Sequence, residues 1–309
     1  MTRVATFGNY QSALLDLMNA QTRAADAQER VSTQKNATDL TGFGRQSETL
    51  TALKGAQSRI QGFIDTGAAV TARLINQDLA TGQIKDAING VREALGGGIA
   101  TDTAGSLMLD LEGQFQSIRG GLNMRHHGGY LFAGASTSTA PVAAATMAEL
   151  AAAPDVASLF SNDTLKTASR VAEGTTLETG FLADELGTDI LSILRDIQTF
   201  HATAGSGPLT GRLTEPQKAF LATQMGRLEQ AGTAVVDKMA RTGTLAKQVE
   251  NITGGHEAQK AALDELLASR TDADMAAAIT DLQLSQIAIQ ASAQVISQLR
   301  QVSLLNYLS

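Results

Sequence analysis

The four prolines of this 309-residue chain, Pro141, Pro154, Pro208 and Pro216, all lie in its middle. The first 140 residues and the last 93 contain none. Proline removes a helix hydrogen bond and clashes with the preceding turn, so both ends lack the strongest helix breaker. Both ends also carry apolar residues at alternating steps of three and four, the rhythm of helices that pack against helices. Near the N-terminus one stripe runs Tyr10, Ala13, Leu17, Ala20, Ala24, Ala27, Val31, and a second runs Val4, Phe7, Leu14, Met18, Ala25 on another face. Near the C-terminus one stripe is Met275, Ile279, Leu282, Ile289, Ala293, Ile296, and the other is Leu284, Ala288, Ala291, Val295, Val302, Leu305. Leu284 follows Met275 by nine residues, about half a rotation of a helix, so these two stripes lie on opposite sides. A surface helix of an ordinary globule needs only one apolar face. The terminal helices therefore expect neighbours on both sides.

Between the ends the same spacing recurs. Leu50, Leu53, Ile60, Ile64, Leu74 and Ile88 place a helix over residues 47–95, expected to stop at Gly96-Gly97-Gly98. Leu107, Leu111, Phe115, Ile118 and Leu122 begin another, expected to end at Gly128-Gly129, and Ile190, Leu194 and Ile197 a short one. A long helix follows Thr214-Glu215-Pro216, with Thr214 as N-cap and Pro216 in the first turn. Its seam is Leu221, Met225, Leu228, Gly232, Val235, Met239, Thr242, Ala246, Val249. Residues 130–188 hold two prolines and clusters of Ser, Thr and Ala, and read as a small β-containing or irregular part. The expected fold is mainly α: a long antiparallel helical coiled-coil bundle, N- and C-terminal helices paired, with a small β-containing distal region. The expected division is 1–40 with 271–309, 41–129 with 189–270, and 130–188.

Composition narrows the function. Aromatic residues are 4% of the chain and Trp is absent, so Ala, Leu, Ile and Val must fill the core. The net charge of −7 repels nucleic acid and anionic lipid, so neither is an expected partner. Without cysteine there is no disulfide, thiolate metal site or Cys nucleophile. Residues 282–299 carry no charge, but eight Gln and Ser side chains make that stretch too polar for a membrane span. The N-terminus has no continuous apolar run of a cleaved signal peptide. His126, His127, His201 and His256 show no ligand spacing, and His126-His127 beside two glycines reads as a solvated turn. No residues are assigned to catalysis, metal or cofactor binding, and the chain is read as no enzyme.

Many seam positions at the ends are Ala, each burying about one methyl group, on the order of 0.8 kcal/mol. Such seams hold little energy per partner but let helices approach closely. Residues 1–40 have net charge 0 and residues 270–309 net −1, so the ends can enter a crowded shared core while the acidic middle meets water. Periodicity alone equally allows a self-contained helical bundle with no assembly role.

The C-terminal stretch from Asp272 to Ile279, then Ala288 to Val295, ending Ser303-Leu304-Leu305-Asn306-Tyr307-Leu308, resembles the C-terminal helix of the bacterial flagellin family. Mid-chain, Tyr130-Leu131-Phe132-Ala133-Gly134 followed by Thr139-Ala140-Pro141 is similar to the family's hook–filament junction members, whereas filament flagellins usually carry a phenylalanine–asparagine–glycine motif there. The family's first helix is commonly followed by Ser-Thr-Gly-Lys and a proline-flanked turn, where this chain has Ser32-Thr33-Gln34-Lys35 and no proline. The resemblance implies a structural flagellar subunit that self-assembles into a homo-oligomeric ring between hook and filament. It implies export without a cleaved signal, through the flagellar export apparatus with a chaperone, to an extracellular location. Its neighbours would be another hook-associated protein and flagellin. On this reading Phe7, Tyr10, Leu14, Leu17, Met18, Met275, Ile279, Leu282, Ile289, Val295, Ile296, Val302 and Leu305 carry inter-subunit packing, and Tyr130, Phe132, Gly134 and Pro141 mark the family motif. A filament flagellin and a soluble coiled-coil signalling protein are the competing readings.

Overall fold

The computed structural model describes residues 2–308, with side chains over 8–300. Its helices are α1 (Thr2–Thr33), α2 (Ser47–Thr101), α3 (Leu107–Leu122), α4 (Met147–Ala152), α5 (Ala183–Ala202), α6 (Glu215–Thr271) and α7 (Met275–Leu308). Two antiparallel hairpins accompany them: β1 (Arg125–His126) with β2 (Gly129–Tyr130), and β3 (Ala168–Ala172) with β4 (Thr175–Glu178). The mainly α fold expected from the periodicity is the one observed. The chain forms two compact units, one of residues 1–59 with 259–309 and one of residues 60–258. The first thus takes in the start of α2 and the end of α6, beyond the terminal segments marked out from sequence.

In the terminal unit α1 and α7 run antiparallel, with Lys35 opposite Asp272 and Arg30 donating to Asp281 at 3.3 Å. The start of α2 adds Leu50, fully buried, and the end of α6 adds Leu267.

The second unit holds the main core. Ile84, Ile88, Val91 and Leu95 of α2, Leu111, Phe115 and Ile118 of α3, Ile190, Leu194 and Ile197 of α5, and Leu221, Leu228 and Val235 of α6 all belong to it. The α6 seam read from sequence is real: Leu221, Leu228, Val235, Thr242 and Val249 are buried, and the residues between them half-buried. Its start is a reciprocal cap. The Gln217 N–H donates to Thr214 Oγ1 at 3.4 Å and the Thr214 N–H to Gln217 Oε1 at 2.9 Å, so two otherwise orphaned donors of the first turn are paired.

Two boundaries differ from the sequence reading. Helix α2 does not stop at Gly96-Gly97-Gly98 but continues to Thr101. Gly98 is buried, and a Cβ there would lie 3.2 Å from the Thr103 carbonyl. Glycine here lets the helix end fold back closely instead of ending it. Helix α3 stops at Leu122 rather than at the glycine pair, because residues 125–130 leave the helix for the first hairpin.

Residues 130–188 are packed into this same core through Leu131, Phe132, Val142, Met147, Leu150, Leu159 and Phe181. The β3–β4 hairpin bulges at Val171, which is buried in a smaller cluster with Val70, Leu74, Leu177 and Val249. The Val171 carbonyl meets His256 Nε2 at 2.9 Å, and the His256 ring stacks on Phe63. Lys166 pairs with Glu185 at 2.6 Å, while Lys238 and Arg241 lie over the Phe181 ring, each 5.5 Å from its centre.

Candidate assembly interface

The hairpin of α1 and α7 closes on one seam from each helix. On α1 the residues turned inward are Tyr10, Ala13, Leu17, Ala20, Ala24, Ala27 and Val31, with the alanines at 13, 20 and 27 buried. On α7 they are Met275, Ala278, Leu282, Ser285, Ile289, Ser292, Ile296 and Leu299, a strict three–four alternation with Ala278 and Ser285 buried. The small residues of one helix sit among larger ones of the other, which suits a close knobs-into-holes contact.

Of the residues assigned to packing from sequence, Tyr10, Leu17, Met275, Leu282, Ile289 and Ile296 therefore lie in this internal seam. Leu14, Met18, Ile279 and Val295 face outward and are exposed. The side chains of Phe7, Val302 and Leu305 lie outside the described residues. Sequence reasoning put Ile279 and Ala293 in the α7 seam and passed over Ala278, Ser285, Ser292 and Leu299. It also did not single out Leu15 and Ile287, which with Leu284 are 60–61% exposed. The signal available was position: Leu15 and Met18 are three apart, and Leu284, Ile287 and Ala291 follow the helical repeat.

A short ladder closes one end of the hairpin. The Ala273 N–H donates to the Gln34 carbonyl at 3.0 Å, and Asn36 Nδ2 to the Asp272 carbonyl at 2.9 Å. Gln34 takes a left-handed backbone, φ 58°, at the turn out of α1. Lys35 pairs with Asp272, and this hydrogen bond holds the Asp272 carboxyl below its usual range. A concavity of about 570 Å³ in the same unit is lined by Leu40, Phe43, Lys54 and Leu267 among others. Its charged groups Lys35, Asp39 and Asp264 are hydrogen-bonded within the chain, with Asp272, Thr41 and Gln57. Among the described residues no cluster of His, Cys, Asp or Glu is arranged to hold a metal ion, and no helix is long and apolar enough to cross a membrane.

The mid-chain motif is an internal fastening of the second unit. Tyr130 donates its N–H to the Thr137 carbonyl at 2.9 Å. Phe132 is fully buried, and its carbonyl accepts the Ala183 N–H at 3.0 Å. Gly134 has φ 65°, and a Cβ there would lie 2.8 Å from the Asp163 carbonyl. Pro141 is buried and its carbonyl accepts from Ser161 at 2.9 Å. Asn123 clamps the next residue from both sides, donating to the Val142 carbonyl and accepting its N–H.

Residues 225–308 match the family described as the bacterial flagellin C-terminal helical region. No curated protein matches the chain by sequence. Among solved structures, a protein of Vibrio parahaemolyticus described as flagellar hook-associated superposes with TM-score 0.62 at 18% identity, over 75% of this chain and 100% of its own. FlgL of Xanthomonas campestris gives 0.56 at 16% identity, over 70% and 99%. FlgL of Bacillus cereus gives 0.54 at 10% identity, over 71% and 98%. The resemblance to the flagellin family thus holds over residues 225–308, and the fold of the chain is similar to that of flagellar hook-associated proteins across nearly their whole length.

Proposed function

We propose that this chain is a structural subunit of the bacterial flagellum that self-assembles into a ring joining hook to filament. One observation carries the reading. The α1–α7 hairpin satisfies one seam internally yet leaves Leu14, Leu15 and Met18 on α1, and Ile279, Leu284, Ile287 and Val295 on α7, exposed on other faces. Apolar residues repeated along two adjacent helices are a surface for further helices. Neighbouring copies of the same hairpin would cover them. In this role the partners are other copies, a further hook-associated protein and flagellin. The subunit acts outside the cell after passage through the flagellar export apparatus, and its contribution is mechanical rather than catalytic.

Leu282 and Ile289 sit in the internal seam, so changes there would disturb folding and assembly together. The discriminating variant is Leu15→Asp with Ile287→Asp. The purified protein should keep its helix content and unfolding midpoint, because both side chains already face water. Cells carrying it should build hooks that fail to retain filaments. Normal swimming by such cells would sink the proposal. Immunogold labelling of the unaltered protein should give a single band at the hook tip. Label along the whole filament would instead indicate a filament subunit.

A further inference from the structure

We infer that the β1–β2 hairpin is a basic docking point for carboxylates on the 60–258 unit of a second copy of this chain. The inference rests on the self-assembly reading above, and adds a contact made by a different part of the molecule.

The hairpin turns on two residues, His127 and Gly128, both left-handed with φ 50° and 84°. That is the backbone of a tight two-residue turn, and it leaves His127 and Arg125 exposed at the surface. Arg125 lies 4.4 Å over the Tyr130 ring and donates to its hydroxyl at 2.9 Å, which fixes the guanidinium in place. The His126 and His127 rings are 4.2 Å apart. Asn76 Nδ2 donates to the Ala72 carbonyl and lies 3.2 Å from His126 Nδ1. As a donor it assigns the ring hydrogen of His126 to Nε2. Arg73 donates to the Leu131 carbonyl, next to the end of the hairpin, at 2.8 Å. Arg125, His127, Asn76 and Arg73 therefore gather around or beside His126.

The chain on either side of the hairpin lacks acid. From residue 113 to residue 148 there is no Asp or Glu. Among the described residues neither Arg73 nor Arg125 forms an ion pair. Burial, His127 and Arg73 all push the His126 pKa down, and no carboxylate acts to raise it. Beside Asn76 on α2, Ile75 and Leu79 are exposed, with Asp78 on their far flank. Asn76 thus joins the hairpin to a stretch of α2 whose exposed residues include two large apolar side chains, Ile75 and Leu79.

The remainder of the unit supplies the partner chemistry. Residues 60–258 hold 21 acidic and 14 basic side chains, net −7, whereas the terminal unit holds ten of each. Identical acidic units set side by side repel one another. A basic island on each copy, set against a neighbour's carboxylates, turns part of that repulsion into a directed contact and favours a head-to-tail arrangement. The same net charge disfavours nucleic acid or an anionic membrane as the occupant.

The test uses flagella sheared from the bacterium that makes the protein, with a photo-crosslinking residue in place of His127 or, separately, of Leu15. The expected result is a position-127 adduct with a 60–258 peptide of another copy, its yield lowered about threefold by Arg125→Glu, the scale of one lost surface ion contact. Arg125→Gln, which adds no new charge, should lower it in the same direction and serves if the reversal disturbs the hairpin. If position 15 crosslinks to another copy while position 127 gives no adduct, or one with a different protein, the docking inference is overturned and self-assembly stands. An unchanged yield in a folded Arg125→Gln protein also overturns it. If neither position crosslinks to another copy, the self-assembly reading fails and the inference falls with it.

Discussion

The backbone N–H of Asn36 donates to the carbonyl of Thr271 at 2.7 Å, although 235 positions separate them in the chain. Together with the Ala273 N–H to Gln34 carbonyl bond, it fixes which turn of α1 lies opposite which turn of α7. Asn36→Pro removes the donor and should cost the hairpin about 1–3 kcal/mol. Amide exchange should rise along α1 and α7 and stay unchanged in residues 60–258. Undiminished protection of α1 in this variant would show that the ladder does not hold the register.

Ala27 is fully buried in the hairpin seam. Ala27→Leu inserts three carbons into a close helix–helix contact, and overpacking of this kind costs typically about 1–3 kcal/mol. The exposed Ala25 on the same helix provides the control, since Ala25→Leu should leave stability within about 0.5 kcal/mol. Thermal unfolding of the two variants side by side checks the seam assignment. Equal midpoints would contradict it.

Gly134 combines a left-handed backbone with carbonyl oxygens where a side chain would begin. Gly134→Ala should destabilise the 60–258 unit by roughly 1–3 kcal/mol, through strain and displacement of the 163–165 segment. A denaturant titration followed by far-UV circular dichroism measures this loss. The terminal hairpin's exchange rates should not change.

Lys166 and Glu185 form a pair whose stabilisation has two limits in pH. Burial pushes the Glu185 carboxyl up, but Lys166 and Lys238 together bring it below its ordinary value of 4.5. Folding therefore favours the ionised form, and this contribution is present above pH 4.5 and lost as pH falls through the lower folded value. The hydrogen bond to Glu185 raises the Lys166 ammonium above its ordinary 10.5, so its contribution is present below pH 10.5 and lost as pH rises past the folded value. Glu185→Gln should lower the unfolding midpoint at pH 7 and flatten its fall below pH 4.5. A slope identical to that of the unaltered protein would exclude Glu185 as a contributor.

His126 gives the opposite case. Desolvation, His127 and Arg73 lower its pKa below the ordinary 6.5, so folding favours the neutral ring. The unfolded chain takes up this proton first, and stability should fall as pH drops from 6.5 toward the folded value. An NMR titration should place the His126 midpoint below 6.5. A midpoint above it would mean that a carboxylate faces the ring.

Where burial followed a single helical stripe, the sequence was readable. The α6 seam from Leu221 to Val249 and the N-cap at Thr214 could be written down residue by residue, because the helix and its cap are local. The α1 seam was equally plain, since Ala13, Ala20 and Ala27 recur every seven residues. The α7 register was not, because Ser285 and Ser292 are inner residues by virtue of their small size and do not stand out on an apolar scale. The passage of α2 through three glycines depends on the Thr103 carbonyl returning beside Gly98, a tertiary contact with no local trace. The ladder joining residues 34–36 to 271–273 is built largely on backbone groups, which every residue carries alike. The motif around Gly134 was visible as a pattern, but its work, fastening a loop into the core, emerged only with the carbonyls around it.

The even tally of acidic and basic groups in the terminal unit decides how contacts made by this unit would answer to dissolved salt. Dissolved salt weakens forces between bodies that carry net charge, and leaves contacts between uncharged apolar faces largely intact. Joints formed by this unit would hold alike in a freshwater stream and in brine, while any contact relying on the acidic remainder of the molecule would tighten or slacken with the salinity outside.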